Sequence, residues 1–244
     1  TKLQGLVRPH GCQMVDDKIW ITAETNACIA RFDPTTQTVD RIYGHGGAAG
    51  HMLAVAPDAR RIVVANMLSQ DCSIIELGRG PRNVSRVDLP APQPEGLAYS
   101  PDGREVWFGH RKGGILSILD MESRKVVGTM EVGGVPFRLA FAKSGRLFFS
   151  DPPGRALVEV DAAKRSVVRR IELEGFPTGF CLHASGEWAA ISLADTNEAA
   201  LLHLPSGSVR RRIPVGPHPD GICWASAATG TPPKPLDRSK TWRD

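Results

Sequence analysis

The sequence predicts an all-β fold, a β-propeller of four-stranded antiparallel blades, and three observations carry that expectation. A unit of about forty residues recurs along the chain. Each copy divides into four short strand-like runs joined by turn residues. The 25 glycines and 19 prolines of the 244 residues are dispersed, which suits many short elements and excludes a helical bundle. A lone blade cannot cover its apolar faces, so such units must stack around an axis.

The repeat is clearest where PEGLAYSPDGREVWFGHRKGGILSILDMESRKVVGTMEVGG aligns with PFRLAFAKSGRLFFSDPPGRALVEVDAAKRSVVRRIELEG and with PTGFCLHASGEWAAISLADTNEAALLHLPSGSVRRRIPVG. Each unit gives an inner strand such as GLAYS, a second such as EVWFG, a third such as ILSILD and an outer one such as KVVGTMEV. SPDG, KSG and ASG join the first two strands as hairpin turns. Two further units precede these, RPHGCQMVDDKIWITAETNACIARFDPTTQTVDRIYG and GHMLAVAPDARRIVVANMLSQDCSIIELGRGPRNVSRVDLP, and HPDGICWAS opens another. Six blade units are therefore expected, or seven if sequence precedes Thr1. TKLQGLV at the front resembles an outer strand without its own blade, as when a last blade joins both chain ends. Residues 1–226 form the propeller, and 227–244, AATGTPPKPLDRSKTWRD, form a Pro-rich charged tail without strand alternation.

Two columns of residues recur at the blade ends. The position after each unit's first residue holds His10, His51, Glu95, Phe137, Thr178 and Asp220, at steps of 41, 44, 42, 41 and 42. Innermost strands line the central channel, so this column is expected at its mouth. The second column, after the second strand, is Ala23 with Glu24 beside it, Asn66, His110, Asp151 and Ser192.

His10, His51, Glu95 and Asp220 are nitrogen and oxygen donors suited to a divalent metal, Zn, Mn or Fe(II), with Mg or Ca relying more on the carboxylates. Opposite them, Phe137 and Thr178, with Asn66 and Asp151, offer a wall for a small organic ligand in the channel. Glu24, Glu95 and His110 are candidates for acid–base work along with His10 and His51. Each position also has an ordinary explanation: Asn66, His110 and Asp151 suit loop-closing turns. Asp33, Asp120 and Asp161 end third strands, where a carboxylate bonds turn amides, and Arg169, Arg170, Arg210, Arg211 and Arg212 fall on outer strands, where charge discourages edge pairing.

The remaining composition narrows the partners. A net charge of +4 and a pI near 8.9 imply no nucleic-acid partner, and no apolar run reaches membrane-spanning length. No organic cofactor is implied. Five cysteines without a CxxC pair argue against a disulfide framework or structural zinc, leaving buried reduced thiols as the expectation. The chain begins with Thr1, as after trimming, so export to the periplasm and a cytoplasmic location both stay open.

At PEGLAYSPDGREVWFGH and ILSILDMESRKVVGTMEVG the sequence resembles the YVTN/YncE-type repeat propellers, over nearly all of residues 1–226. The first unit is also similar to repeats of the streptogramin (virginiamycin B) lyases, and PDGIC resembles a segment of gluconolactonase-like (SMP-30) propellers. The last resemblance implies metal ligation by Asp220 and Glu95. The lyase resemblance implies His and Glu residues acting with Mg to open a cyclic ester by elimination, for which His10, His51 and Glu95 supply the residue types. The function expected is a metal-assisted lyase or lactonase-like hydrolase acting on a small cyclic ester or related carbonyl compound. The alternative is a non-catalytic YVTN-type propeller that binds a ligand or a protein partner.

Overall fold

The computed structural model describes residues 5–78 and 83–225, and the predicted tail at 227–244 lies outside them. Among the described residues, twenty strands form five separate four-stranded antiparallel sheets, each built from consecutive strands. The first holds β1 (Pro9–Val15), β2 (Lys18–Ala23), β3 (Cys28–Asp33) and β4 (Thr38–Gly44), and the second β5 (Gly50–Val55), β6 (Arg61–Asn66), β7 (Asp71–Glu76) and β8 (Val84–Asp88). The third holds β9 (Pro94–Tyr99), β10 (Glu105–His110), β11 (Ile115–Asp120) and β12 (Lys125–Glu131). The fourth holds β13 (Leu139–Phe141), β14 (Arg146–Asp151), β15 (Ala156–Asp161) and β16 (Ser166–Glu172), and the fifth β17 (Pro177–Leu182), β18 (Trp188–Leu193), β19 (Glu198–His203) and β20 (Ser208–Pro214).

The all-β propeller architecture and the four-stranded blade stand, but the expected six or seven blades do not: five are found among the described residues. Among the described residues, the unit opening at Asp220 supplies no strand. Its residues 219–224 lie beside β17, held by Thr178 Oγ1 donating to the Pro219 carbonyl at 2.8 Å and by the Trp224 indole N–H donating to the Cys181 carbonyl at 3.2 Å. A first strand needs a second to pair with, and the described residues after Asp220 hold none. No strand forms at residues 5–8 either.

The core lies between blades. Trp20 and Ile29 pack with Leu53, Ile62 and Val64 between the first two sheets, and Val63, Ala65 and Ile74 with Leu97, Val106 and Phe108 between the next two. Trp107, Leu116 and Ile118 meet Leu147, Phe149 and Val158, and Phe148, Leu157 and Ile171 meet Phe180, Ile191 and Leu202. Nearly all of these side chains are buried, which is why single blades read as apolar on both faces.

Two glycine roles follow from the geometry. In the first hairpin turns Gly103, Gly145 and Gly186 take φ of 71°, 84° and 77°, a region that side chains disfavour. In the P-x-G entries the reason is close approach. A Cβ on Gly11 would lie 2.8 Å from the His51 carbonyl oxygen, and one on Gly96 or Gly179 would strike the carbonyl of Phe137 or Asp220. Each of these glycines thus lets one inner segment lie against the backbone of the next.

Asp33, Asp120 and Asp161 accept turn amides from Thr35, Ser123 and Lys164 at 2.8, 2.7 and 3.0 Å. The thiols depart from expectation: Cys28 and Cys72 are buried, but Cys12 on β1 and Cys223 on the segment after β20 are exposed, and both line the cavity at the channel mouth. No helix among the described residues is long and apolar enough to cross a membrane.

Candidate functional site at the channel mouth

The blade entries bring His10, His51 and Glu95 together, with Glu24 from the turn after β2. His51 is central. Its Nδ1 lies 2.5 Å from Glu24 Oε1 and its Nε2 2.7 Å from Glu95 Oε1. Both contacts are hydrogen bonds when the ring carries two protons. The exposed His10 ring stacks on it, with centroids 3.7 Å apart and planes tilted by 33°. Thr22 on β2 fixes this stack: its buried hydroxyl accepts the Gly11 amide at 2.8 Å and donates to the His51 carbonyl at 2.7 Å.

Arginines complete the cluster. Arg138 donates to Glu95 Oε1 at 2.8 Å and its other terminal nitrogen lies 3.6 Å from Asp220 Oδ1. Arg111 lies 3.5 Å from Glu95 Oε2, a buried oxygen that has no hydrogen bond, and Arg8 lies 3.2 Å from Glu24 Oε2. Both Arg111 and Arg138 sit over the Phe137 ring, at 5.3 and 4.7 Å from its centroid.

The charges tune one another. Burial by itself pushes the Glu95 carboxyl up, yet the hydrogen bond from His51 and the charges of His51, Arg138 and Arg111 together outweigh it, and the carboxyl is held below its ordinary value. His10 is depressed below the usual imidazole value by partial burial first, then by His51 and Arg138, against a smaller pull from Glu24 and Asp220. It is therefore neutral near pH 7 and able to accept a proton.

A cavity of about 630 Å³ opens here, lined by His10, Met52, Arg138, Phe180, Asp220 and Ile222 among others. Through Cys12, Met52 and Phe180 it adjoins a second space of about 730 Å³ between Leu53, Leu97, Leu139 and Phe180. His51 and Glu95 lie behind the wall, so His10, Arg138 and Asp220 are the polar groups a ligand meets.

The remaining sequence candidates are placed elsewhere. Thr178 spends its hydroxyl on the Pro219 carbonyl, and Phe137 lies half-buried beneath the two arginines. Asn66, His110 and Asp151 are fully buried between blades. Asn66 donates to Asp71 and Ser73, His110 Nε2 lies 2.8 Å from Ser117 Oγ, and Asp151 pairs with Arg170 while accepting the Val135 amide at 2.9 Å. Sequence reasoning missed Arg138, Arg111 and Thr22. Arg138 left a signal, for it stands in PFR where PHG, PEG, PTG and PDG carry glycine.

As a cation site, the donor atoms of His10, Glu24 and His51 lie within 4.8 Å of one another. Two ligands of one tetrahedral ion with bonds near 2.0–2.1 Å sit roughly 3.3 Å apart. The 2.5 Å Glu24–His51 contact is shorter than that. A metal held by both groups would need this contact to open.

No family model matches the chain, and no curated protein matches its sequence. Solved structures do match. A catalytically inactive virginiamycin B lyase from Staphylococcus aureus with quinupristin is 17% identical with a TM-score of 0.77, over 91% of this chain and 76% of that one. Kuenenia stuttgartiensis hydrazine synthase is 14% identical with a TM-score of 0.67, over 91% and 92%. A β-propeller domain from Myceliophteria thermophila is 15% identical with a TM-score of 0.71, over 87% and 74%. At these identities the likeness establishes the fold: a β-propeller similar in structure to streptogramin B lyases among other propellers.

Proposed function

We propose that the channel mouth is an active site that removes the proton α to a carbonyl whose β carbon carries an acyloxy group, and so opens this small β-acyloxy ester by elimination. The observation that carries this reading is the pairing of a neutral, exposed His10 with Arg138 across one cavity, above a buried His51 fixed between Glu24 and Glu95. His10 takes the proton, the C–H electron pair forms a carbon–carbon double bond, and the bond from the β carbon to the ester oxygen breaks, its electrons leaving with the carboxylate. Arg138 faces the charge that grows on the carbonyl oxygen. The stacked His51 is a positioning residue, since it touches His10 rather than the cavity. A fold shared with a lyase supports the reading at the level of architecture alone.

A second reading, a YVTN-type binding platform without turnover, draws support from His51, whose ring nitrogens both face carboxylates and need no substrate. Turnover separates the two. Acyloxy esters and lactones are incubated with the protein, both after chelation and with added Mg, Mn or Zn. Elimination gives an ultraviolet-absorbing unsaturated carbonyl and takes no oxygen from water, hydrolysis takes one, and a platform gives neither. Loss of the unsaturated product in His10→Gln, with fold retained, is expected; equal turnover in that variant excludes His10 as the base.

A further inference from the structure

Building on the reading of this mouth as a small-molecule site, we infer that its ligand carries a carboxylate, which takes the place Asp220 now holds against Arg138. Arg138 is the cation a ligand can reach: it lines the cavity with His10 and Asp220, and its side chain is only 12% exposed. One terminal nitrogen is committed to Glu95 at 2.8 Å, but the other reaches Asp220 Oδ1 only at 3.6 Å, beyond hydrogen-bond distance. Asp220 is 53% exposed and sits on a segment outside any strand, so its hold on the guanidinium is weak and screened by solvent. It occupies the position of a ligand carboxylate without making the bidentate pair that arginine favours.

The surroundings favour an anion. Glu95, the buried carboxylate that balances Arg138, is also faced by His51 and by Arg111, so its charge is shared among three partners. Around the polar corner, Met52, Phe180 and Ile222 make an apolar wall. The matching ligand is a carboxylate on a short apolar body. For the proposed elimination it places the acid oxygens on Arg138 and a neighbouring carbon toward His10.

Binding of hydrocinnamate and of its uncharged amide, measured by calorimetry on the whole chain, tests this without requiring turnover. Hydrocinnamate is expected to bind, and its amide about tenfold to hundredfold more weakly, the usual worth of a charge-assisted arginine–carboxylate contact. Asp220→Asn, an exposed change that leaves the blades untouched, should tighten hydrocinnamate several-fold, whereas Arg138→Gln should abolish the preference for the acid. Equal affinity for acid and amide, absence of binding to both the parent and Asp220→Asn, or weaker or unchanged binding in Asp220→Asn overturns the inference. Carboxylate binding without turnover of any ester would sink the lyase reading alone, and turnover of uncharged esters with no preference for acids would sink this one alone.

Discussion

Removing the Glu95 carboxylate strands two donors at once. Glu95 is wholly buried, accepts hydrogen bonds from His51 and Arg138, and those side chains are only 11% and 12% exposed. Taking one partner from a buried ion pair costs about 3–5 kcal/mol, because the remaining charge is left unpaired out of water. Glu95→Ala is therefore expected to lower unfolding free energy by that amount in urea denaturation, with the m-value unchanged. Arg138→Gly removes one stranded charge and introduces the glycine that the P-x-G entries carry. If the guanidinium is the penalty, the double variant loses about 1–3 kcal/mol less than the sum of the two singles. Additive losses, or a Glu95→Ala cost below about 1 kcal/mol, would refute the cluster as an energetic unit. The pH dependence has a definite sign. The folded carboxyl is held below its ordinary value, so its contribution is present above pH 4.5 and is lost as pH falls through the lower folded value.

Burial pushes His45 and His110 each down to about 4, from an ordinary 6.5. Between those values the unfolded chain binds protons the folded one refuses, so each histidine should remove about 3 kcal/mol of stability as pH falls from 6.5 to 4, and His110→Asn should flatten that slope in pH-dependent thermal unfolding. A methyl at Gly96 meets the Phe137 carbonyl, and Gly96→Ala should cost about 1–3 kcal/mol by denaturation; a neutral result would contradict the close blade junction. Thr22→Val loses both bonds that set the stacked imidazoles, so it should cost about 1–3 kcal/mol and shift the His10 titration seen by NMR, with Thr22→Ser restoring it. Exhaustive chelation should leave stability and any ester turnover intact, because Glu24 and His51 bond each other at 2.5 Å, closer than two ligands of one ion; loss restored by Zn or Mg would refute that reading.

Much of the fold was legible because its signals are local. Period-two runs, the Asp-Gly and Ser-Gly turns, and the P-x-G entries each mark an element within a few residues, and the regular spacing marks their repetition. Blade number was not legible in the same way. HPDGICWAS matches the start of a unit, but a sheet requires partners, and that requirement lies beyond the matching residues. In the site, the column placed His10, His51 and Glu95 together because equivalent positions on neighbouring blades converge on the axis. The second-column side chains Asn66, His110 and Asp151 are instead fully buried, where Asn66 bonds Ser73 and His110 bonds Ser117. Arg138 escaped notice because its role depends on a side chain crossing from one blade entry to Glu95 on the preceding one and to Asp220, a geometry that spacing alone does not display.

The proposed proton abstraction is tested most directly by following the α-hydrogen of a small acyloxy ester by NMR in heavy water, with parent protein beside His10→Gln. Exchange or loss of that hydrogen in the parent, abolished in the variant while its fold persists, is the expected result. An α-hydrogen that stays in place in both would contradict the reading of the channel mouth as a proton-abstracting site.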